Sequence, residues 1–191
     1  MARPCKLILV ALLVAAMASP LALAYDPSPL QDFCVADKAS NANPFGSKVT
    51  LVDVKAVPGL NTLGVAMARL DLAAGGLNPP HTHPRATEIL TVVEGEMYVG
   101  YLDTNGTLFA KVLHKGDVFV FPKGLVHFEF NFGDCPAFGI AGLSSQNPGL
   151  VRVADSLFGA SPAITNEVLA KAFRIDAATV QRIKARFATR K

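Results

Sequence analysis

The chain has 191 residues, enough for one domain of ordinary size with a proper core and cramped for two. It is 51% hydrophobic and 17% charged, and its formal charge of +3 includes no basic block of the kind that binds nucleic acid. Arg3 and Lys6 contribute two of those charges, so 3 − 2 leaves the chain near +1 once the N-terminal segment is removed.

That segment reads as a signal peptide. Arg3 and Lys6 precede an uncharged run from Leu7 to Ala18, and Ala22-Leu23-Ala24 supplies small residues for cleavage after Ala24. The run is shorter than the roughly 20 residues a membrane span requires, and nothing later is long and apolar enough. Residues 1–24 are therefore expected to be removed and residues 25–191 to form a single secreted domain. Cys5 leaves with the leader, so Cys34 and Cys135 remain where disulfides are permitted; they can pair, or each can stay free.

From Tyr25 to about Gly59 the chain is rich in Pro, Asn, Asp and Ser, and reads as an extended arm. Short runs of β-formers then recur: Leu63 to Leu72, Glu88 to Val93, Met97 to Leu102, Leu108 to Leu113, Val118 to Phe121, Leu125 to Phe130 and Ala137 to Leu143. Between them, Glu94-Gly95, Thr104-Asn105-Gly106, Lys115-Gly116-Asp117 and Pro122-Lys123-Gly124 carry tight-turn chemistry suited to antiparallel hairpins. This is the pattern of an all-β sandwich or barrel. Asn105-Gly106-Thr107 is a glycosylation sequon in one of those turns.

After Gly149 the period changes to 3.6. Thr165 is placed to cap a helix with Val168, Leu169, Ala172 and Phe173 on one side, and Asp176 to cap another with Val180, Ile183 and Phe187. Arg182, Lys184, Arg186, Arg190 and Lys191 read as its solvated face.

Three of the four histidines lie in the strand region at spacings that matter. His81-Thr82-His83 places two imidazoles on one face of a strand, Glu88 opens the next strand, and His127 comes just after Pro122-Lys123-Gly124. Three imidazole nitrogens and a carboxylate oxygen suit a first-row divalent metal, with room for water or substrate in an octahedral set. The framework around them is specific. Gly75, five residues, His81-x-His83, four residues, Glu88, six residues and Gly95 form one block. Gly116, five residues, Pro122-x-Gly124, two residues, His127, three residues and Asn131 form another.

These two blocks resemble the paired signature motifs of the cupin superfamily. The stretches Leu30 to Asp37, Pro58 to Gly64, Gly75 to Glu88, Lys115 to Phe132 and Ser145 to Gly149 resemble the plant germins and germin-like proteins over nearly the whole mature chain. The resemblance implies a jelly-roll β-barrel, which carries the extended N-terminal arm and the two C-terminal α-helices read above. It further implies manganese held by His81, His83, Glu88 and His127, glycosylation, a hexameric homo-oligomer, and residence in the cell wall or apoplast. His114 matches no ligand position and reads as a surface residue.

The chain departs from the family pattern in its cysteines and near the metal. The segment after Cys34 is shortened and lacks the second cysteine that usually closes a disulfide in the arm, leaving Cys135 as a substitute partner or Cys34 free. Asn78 matches an asparagine that orients substrate in oxalate-oxidising germins, whereas Ala68 stands where another is expected. Glu129, on the same strand parity as His127, reads as a residue of the solvated rim in preference to an acid beside the metal. The resemblance thus points first to superoxide dismutation, with a small anionic or oxygen-derived substrate and no nucleic-acid partner. A non-catalytic wall or defence protein is the alternative, and oxalate oxidase ranks behind both.

Overall fold

The computed structural model describes residues 43–188. The signal-peptide reading, most of the expected arm and Cys34 lie outside the described residues. Among the described residues no helix is long and apolar enough to cross a membrane.

Ten strands among the described residues form two five-stranded sheets. They are β1 (Ser47–Val52), β2 (Ala66–Leu72), β3 (Leu77–Thr82), β4 (Glu88–Glu94), β5 (Glu96–Leu102), β6 (Leu108–His114), β7 (Val118–Phe121), β8 (His127–Phe130), β9 (Ala137–Leu143) and β10 (Val151–Arg152). One sheet runs β1-β2-β9-β4-β7 and the other β10-β3-β8-β5-β6, with antiparallel pairing throughout. The strands lead into helices α1 (Val153–Phe158), α2 (Asn166–Phe173) and α3 (Ala177–Phe187). This is the jelly-roll architecture that the family resemblance implies, and it fits the sandwich or barrel that the spacing of short strands predicts.

The period-2 pattern places alternate side chains between the sheets. In β2, Ala66, Ala68, Leu70 and Leu72 face inward, and in β9, Ala137, Ala141 and Leu143 do the same. Leu72, Leu90, Met97, Val99, Leu113 and Phe121 are wholly buried at the centre. Each such side chain contributes about 1.5–3 kcal/mol relative to exposure.

The structure departs from the sequence reading at several boundaries. β1 lies inside the stretch read as an extended arm. Its Lys48-Val49-Thr50-Leu51-Val52 run pairs with β2 along its full length, from Ser47 opposite Leu72 to Val52 opposite Met67. It is an edge strand without clean alternation, so the pattern signal was weak. β2 starts at Ala66, not Leu63, because Thr62 and Gly64 both adopt positive φ and end any extended run. Likewise β8 starts at His127, since Leu125 belongs to a turn whose amide donates to the Pro122 carbonyl.

Both expected helix caps form. Thr165 Oγ1 accepts from the Val168 amide at 3.4 Å and Asp176 Oδ1 from the Thr179 amide at 2.8 Å. Leu169 and Val180 are the buried anchors, but Val168 is 57% exposed and points to solvent, and Phe173 is half-exposed with its ring 5.2 Å from that of Phe158. Phe158 ends α1, a six-residue helix too short to leave a period in the sequence.

Candidate metal centre

His81 lies near the end of β3, His83 just beyond it, Glu88 opens β4 and His127 opens β8. β3 and β8 are neighbours in one sheet, with His81 opposite His127, whereas β4 belongs to the other sheet. All four side chains are buried, and one ligand atom from each lies within 4.8 Å of the other three. The sequence-predicted set is brought together as a unit.

Each imidazole is held by its Nδ1. The Nδ1–H of His81 donates to the Pro79 carbonyl at 2.8 Å, that of His127 to the Leu125 carbonyl at 2.8 Å, and that of His83 to the Gly149 carbonyl at 2.6 Å. A carbonyl only accepts, so these bonds assign the proton to Nδ1 and leave the Nε2 lone pairs facing the interior. Phe121, wholly buried, stacks on His127 at 4.6 Å between ring centroids and 19° between planes.

This arrangement fits a cation. His83 Nε2 and His127 Nε2 lie 3.0 and 3.5 Å from Glu88 Oε2, where lone pairs would oppose one another unless a cation or proton stands between them. Among the described residues, Glu88 Oε2 and His127 Nε2 are buried with no hydrogen-bond partner. Burial favours a neutral Glu88, yet the facing imidazoles of His127 and His83 outweigh it and hold the carboxyl down at about 2. Burial, reinforced by His127 and His83, pushes His81 down to about 3 despite the Pro79 carbonyl. His83 moves the other way: burial opposes its charge, but Glu88 and the Gly149 carbonyl raise it above the ordinary imidazole value. At neutral pH the cluster therefore offers an ionised carboxylate and a neutral His81, the states a metal requires.

Asn78 and Glu129 face each other on β3 and β8. Asn78 Nδ2 donates to Glu129 Oε2 at 2.9 Å, while Glu129 Oε1 has no partner among the described residues. Glu129 is 1% exposed, which overturns its reading as a solvated rim residue. Its parity with His127 carries it inward, and Asn78 supplies the partner that permits burial. Burial and then the charge of Glu88 push its carboxyl well above the usual range, against the Asn78 hydrogen bond. Asn78 itself is three residues from His81, an odd spacing that should put them on opposite faces. A register shift between Asn78 and His81, at Pro79 and Pro80, returns both to the interior.

The remaining candidates are not members of this ligand set. Ala68 is a buried core methyl on β2, across from Leu51 and Ala141. The His114 side chain is 71% exposed, as expected for a surface residue. Asn105 is exposed in a turn where Asp103 Oδ1 accepts from the Asn105 and Thr107 amides, each at 2.8 Å. Cys135 is disulfide-bonded. The carbonyls of Pro79, Leu125 and Gly149 are the functional groups that sequence reasoning missed, because backbone acceptors leave no residue-type signal.

Comparison with known proteins agrees with this construction. The family described as Cupin matches residues 34–181. A putative germin-like protein 2-3 from Oryza sativa subsp. japonica is 52% identical, covering 86% of this chain and 88% of that protein. Germin-like protein 8-8 from the same organism is 50% identical over 98% of this chain and 97% of its own length. Among solved structures, an oxalate oxidase in complex with the substrate analogue glycolate superposes with a TM-score of 0.78 at 42% identity, covering 88% of this chain and 86% of that one. A motif, a fold, a buried ligand cluster and full-length relatives thus agree, and the chain belongs to the germin-like proteins of the cupin family.

Proposed function

We propose that the chain is a secreted, manganese-binding protein that dismutates superoxide. In this reading residues 1–24 are removed, residues 25–191 form one domain, Asn105 carries glycan, and the protein assembles as a homo-oligomer in the extracellular space. The observation that carries it is the convergence of a ring nitrogen from each of three histidines and a Glu88 oxygen in one buried cluster.

Two superoxide anions and two protons give dioxygen and hydrogen peroxide. Bound manganese supplies the one-electron couple that this reaction needs. His81, His83 and His127 are neutral ligands and Glu88 contributes a single negative charge, a low total that tolerates both oxidation states and an approaching anion. The three backbone carbonyls lock ring orientation, and Phe121 shields His127 from water. Glu129 keeps its proton to higher pH than an ordinary carboxyl and sits beside the ligand cluster.

The oxalate oxidase neighbour favours a second reading, peroxide production from oxalate. Two features of this chain weigh against it: Ala68 offers no hydrogen bond, and one of the two Asn78 N–H donors is already given to Glu129. The third reading, a wall protein whose metal is structural, makes the same ligand set without turnover.

The test is to purify the secreted protein, measure its metal, and assay superoxide dismutation and oxalate-dependent peroxide. His83→Ala serves as control. Manganese-dependent dismutation that His83→Ala abolishes is the expected result. Activity unchanged in His83→Ala sinks both enzyme readings, and rapid turnover of oxalate overturns the argument from Ala68.

A further inference from the structure

The three histidines are not held alike. His81 and His127 lean on carbonyls only two residues earlier in the chain, Pro79 within β3 and Leu125 in the turn before β8, whereas the acceptor for His83 is 66 residues distant, in the segment before β10. His83 is also the most exposed of the four ligands, at 9% against 2%, 6% and 1% for His81, Glu88 and His127. Its orientation depends on where the 147–149 segment sits.

Arg85 holds that segment. Its Nε donates to the Asn147 carbonyl at 2.7 Å, its Nη2 to Asn147 Oδ1 at 2.8 Å, and its backbone amide to the Pro148 carbonyl at 3.1 Å. Gly149, at φ +73, then presents its carbonyl to His83. A Cβ at Gly149 would come within 2.9 Å of Arg85 Nη2 and 3.1 Å of Pro84 Cγ, so the guanidinium packs directly on the backbone that carries the acceptor. The path from Arg85 through Asn147 to Gly149 and His83 is continuous.

We infer that Arg85 is a positioning residue for the metal centre: by clamping Asn147 and the segment to Gly149 it sets the orientation of His83, and with it the hold on the metal. The inference rests on the reading of His81, His83, Glu88 and His127 as metal ligands. Arg85 is exposed, and isolated surface contacts contribute little. Here two side-chain bonds from one planar guanidinium converge on a single residue, a geometry that a lysine ammonium reproduces only in part.

The experiment uses the full secreted protein loaded with Mn(II), and in parallel with Co(II) as a coloured probe of coordination. Affinity is read by competition with a chelator, and the ligand field by visible absorption. Arg85→Ala should weaken metal binding about 10–100-fold, the range for losing an outer hydrogen-bond partner, and should shift the Co(II) bands. Arg85→Lys should recover part of the loss, and Asn147→Ala should fall between wild type and Arg85→Ala. Arg69→Ala, which removes a surface arginine paired with Asp71, should leave both readouts unchanged.

A merely structural role would lower the melting temperature without moving the bands of the loaded protein. Wild-type affinity and spectrum in Arg85→Ala, or equal losses in Arg85→Ala and Arg69→Ala, would overturn the inference. Should Arg85→Ala fail to fold, Arg85→Lys and Asn147→Ala read the same coupling, and unchanged bands in both overturn it. Metal binding undiminished by His81→Ala would instead sink the ligand reading itself.

Discussion

Glu129 places a carboxyl where water does not reach, with one oxygen bonded to Asn78 and the other without a partner among the described residues. Its folded-state pKa is raised, so between its unfolded and folded values the native state retains a proton that the unfolded chain has lost. Stability conferred by the neutral acid is thus fully present below the unfolded carboxyl range and is lost as pH rises toward the folded pKa. Glu129→Gln keeps an acceptor for Asn78 and removes the titration. In metal-stripped protein it should raise the melting temperature at pH 7 and lose that advantage near pH 4, as thermal scans across pH would reveal. A uniform gain at all pH values would mean packing, not ionisation. Glu129→Leu should instead cost about 1–3 kcal/mol in acid, because it strands the buried Asn78 amide.

At the scale of elements, the turns separate conformational freedom from space. Gly95 joins β4 to β5 at φ +76 and Gly106 joins β5 to β6 at φ +81. A Cβ at Gly106 meets nothing within 4 Å, so Gly106→Ala should cost only the left-handed penalty, about 1–2 kcal/mol. A Cβ at Gly95 would lie 2.7 Å from Ala137 Cβ, 2.8 Å from its Cα and 2.9 Å from the Pro136 carbonyl oxygen. Backbone cannot step aside, so Gly95→Ala should add overpacking for a total of about 2–5 kcal/mol. Denaturant titration of the two variants checks the difference; equal losses would refute the steric part. These turns were legible in the sequence because glycine is the residue that positive φ selects. So was the grouping of the candidate ligands, since period 2 aligns His81 with His83, and so were the caps at Thr165 and Asp176. β1 was hidden by its edge position, and α1 by its length. The burial of Asn78 beside His81 was legible only through the family resemblance, because a register shift at two prolines breaks the parity rule on which a reading from spacing depends. Glu129 was misread for a related reason: its partner sits on another strand, 51 residues away.

For the molecule as a whole, the ligand cluster is a joint between layers. His81 and His127 come from the sheet containing β3 and β8, and Glu88 from the sheet containing β4. A cation there ties the two sheets at a point where Glu88 Oε2 and His127 Nε2 otherwise have no hydrogen-bond partner among the described residues. Binding to the native state alone stabilises it by about 2.7 kcal/mol when free metal is 100 times the dissociation constant. For a chain of this size that is a rise of about 5–10 °C in melting temperature. The increment should grow with metal concentration and vanish with chelator. It should also shrink as pH falls, because His83, whose pKa is raised by Glu88 and the Gly149 carbonyl, takes up a proton that competes with the metal before His81 does. Glu88→Ala should abolish the metal dependence while leaving the metal-stripped protein folded, since the core around Leu72, Leu90 and Phe121 does not depend on that carboxylate. A melting temperature indifferent to metal in the wild-type protein would show that the two sheets are held by their apolar core alone.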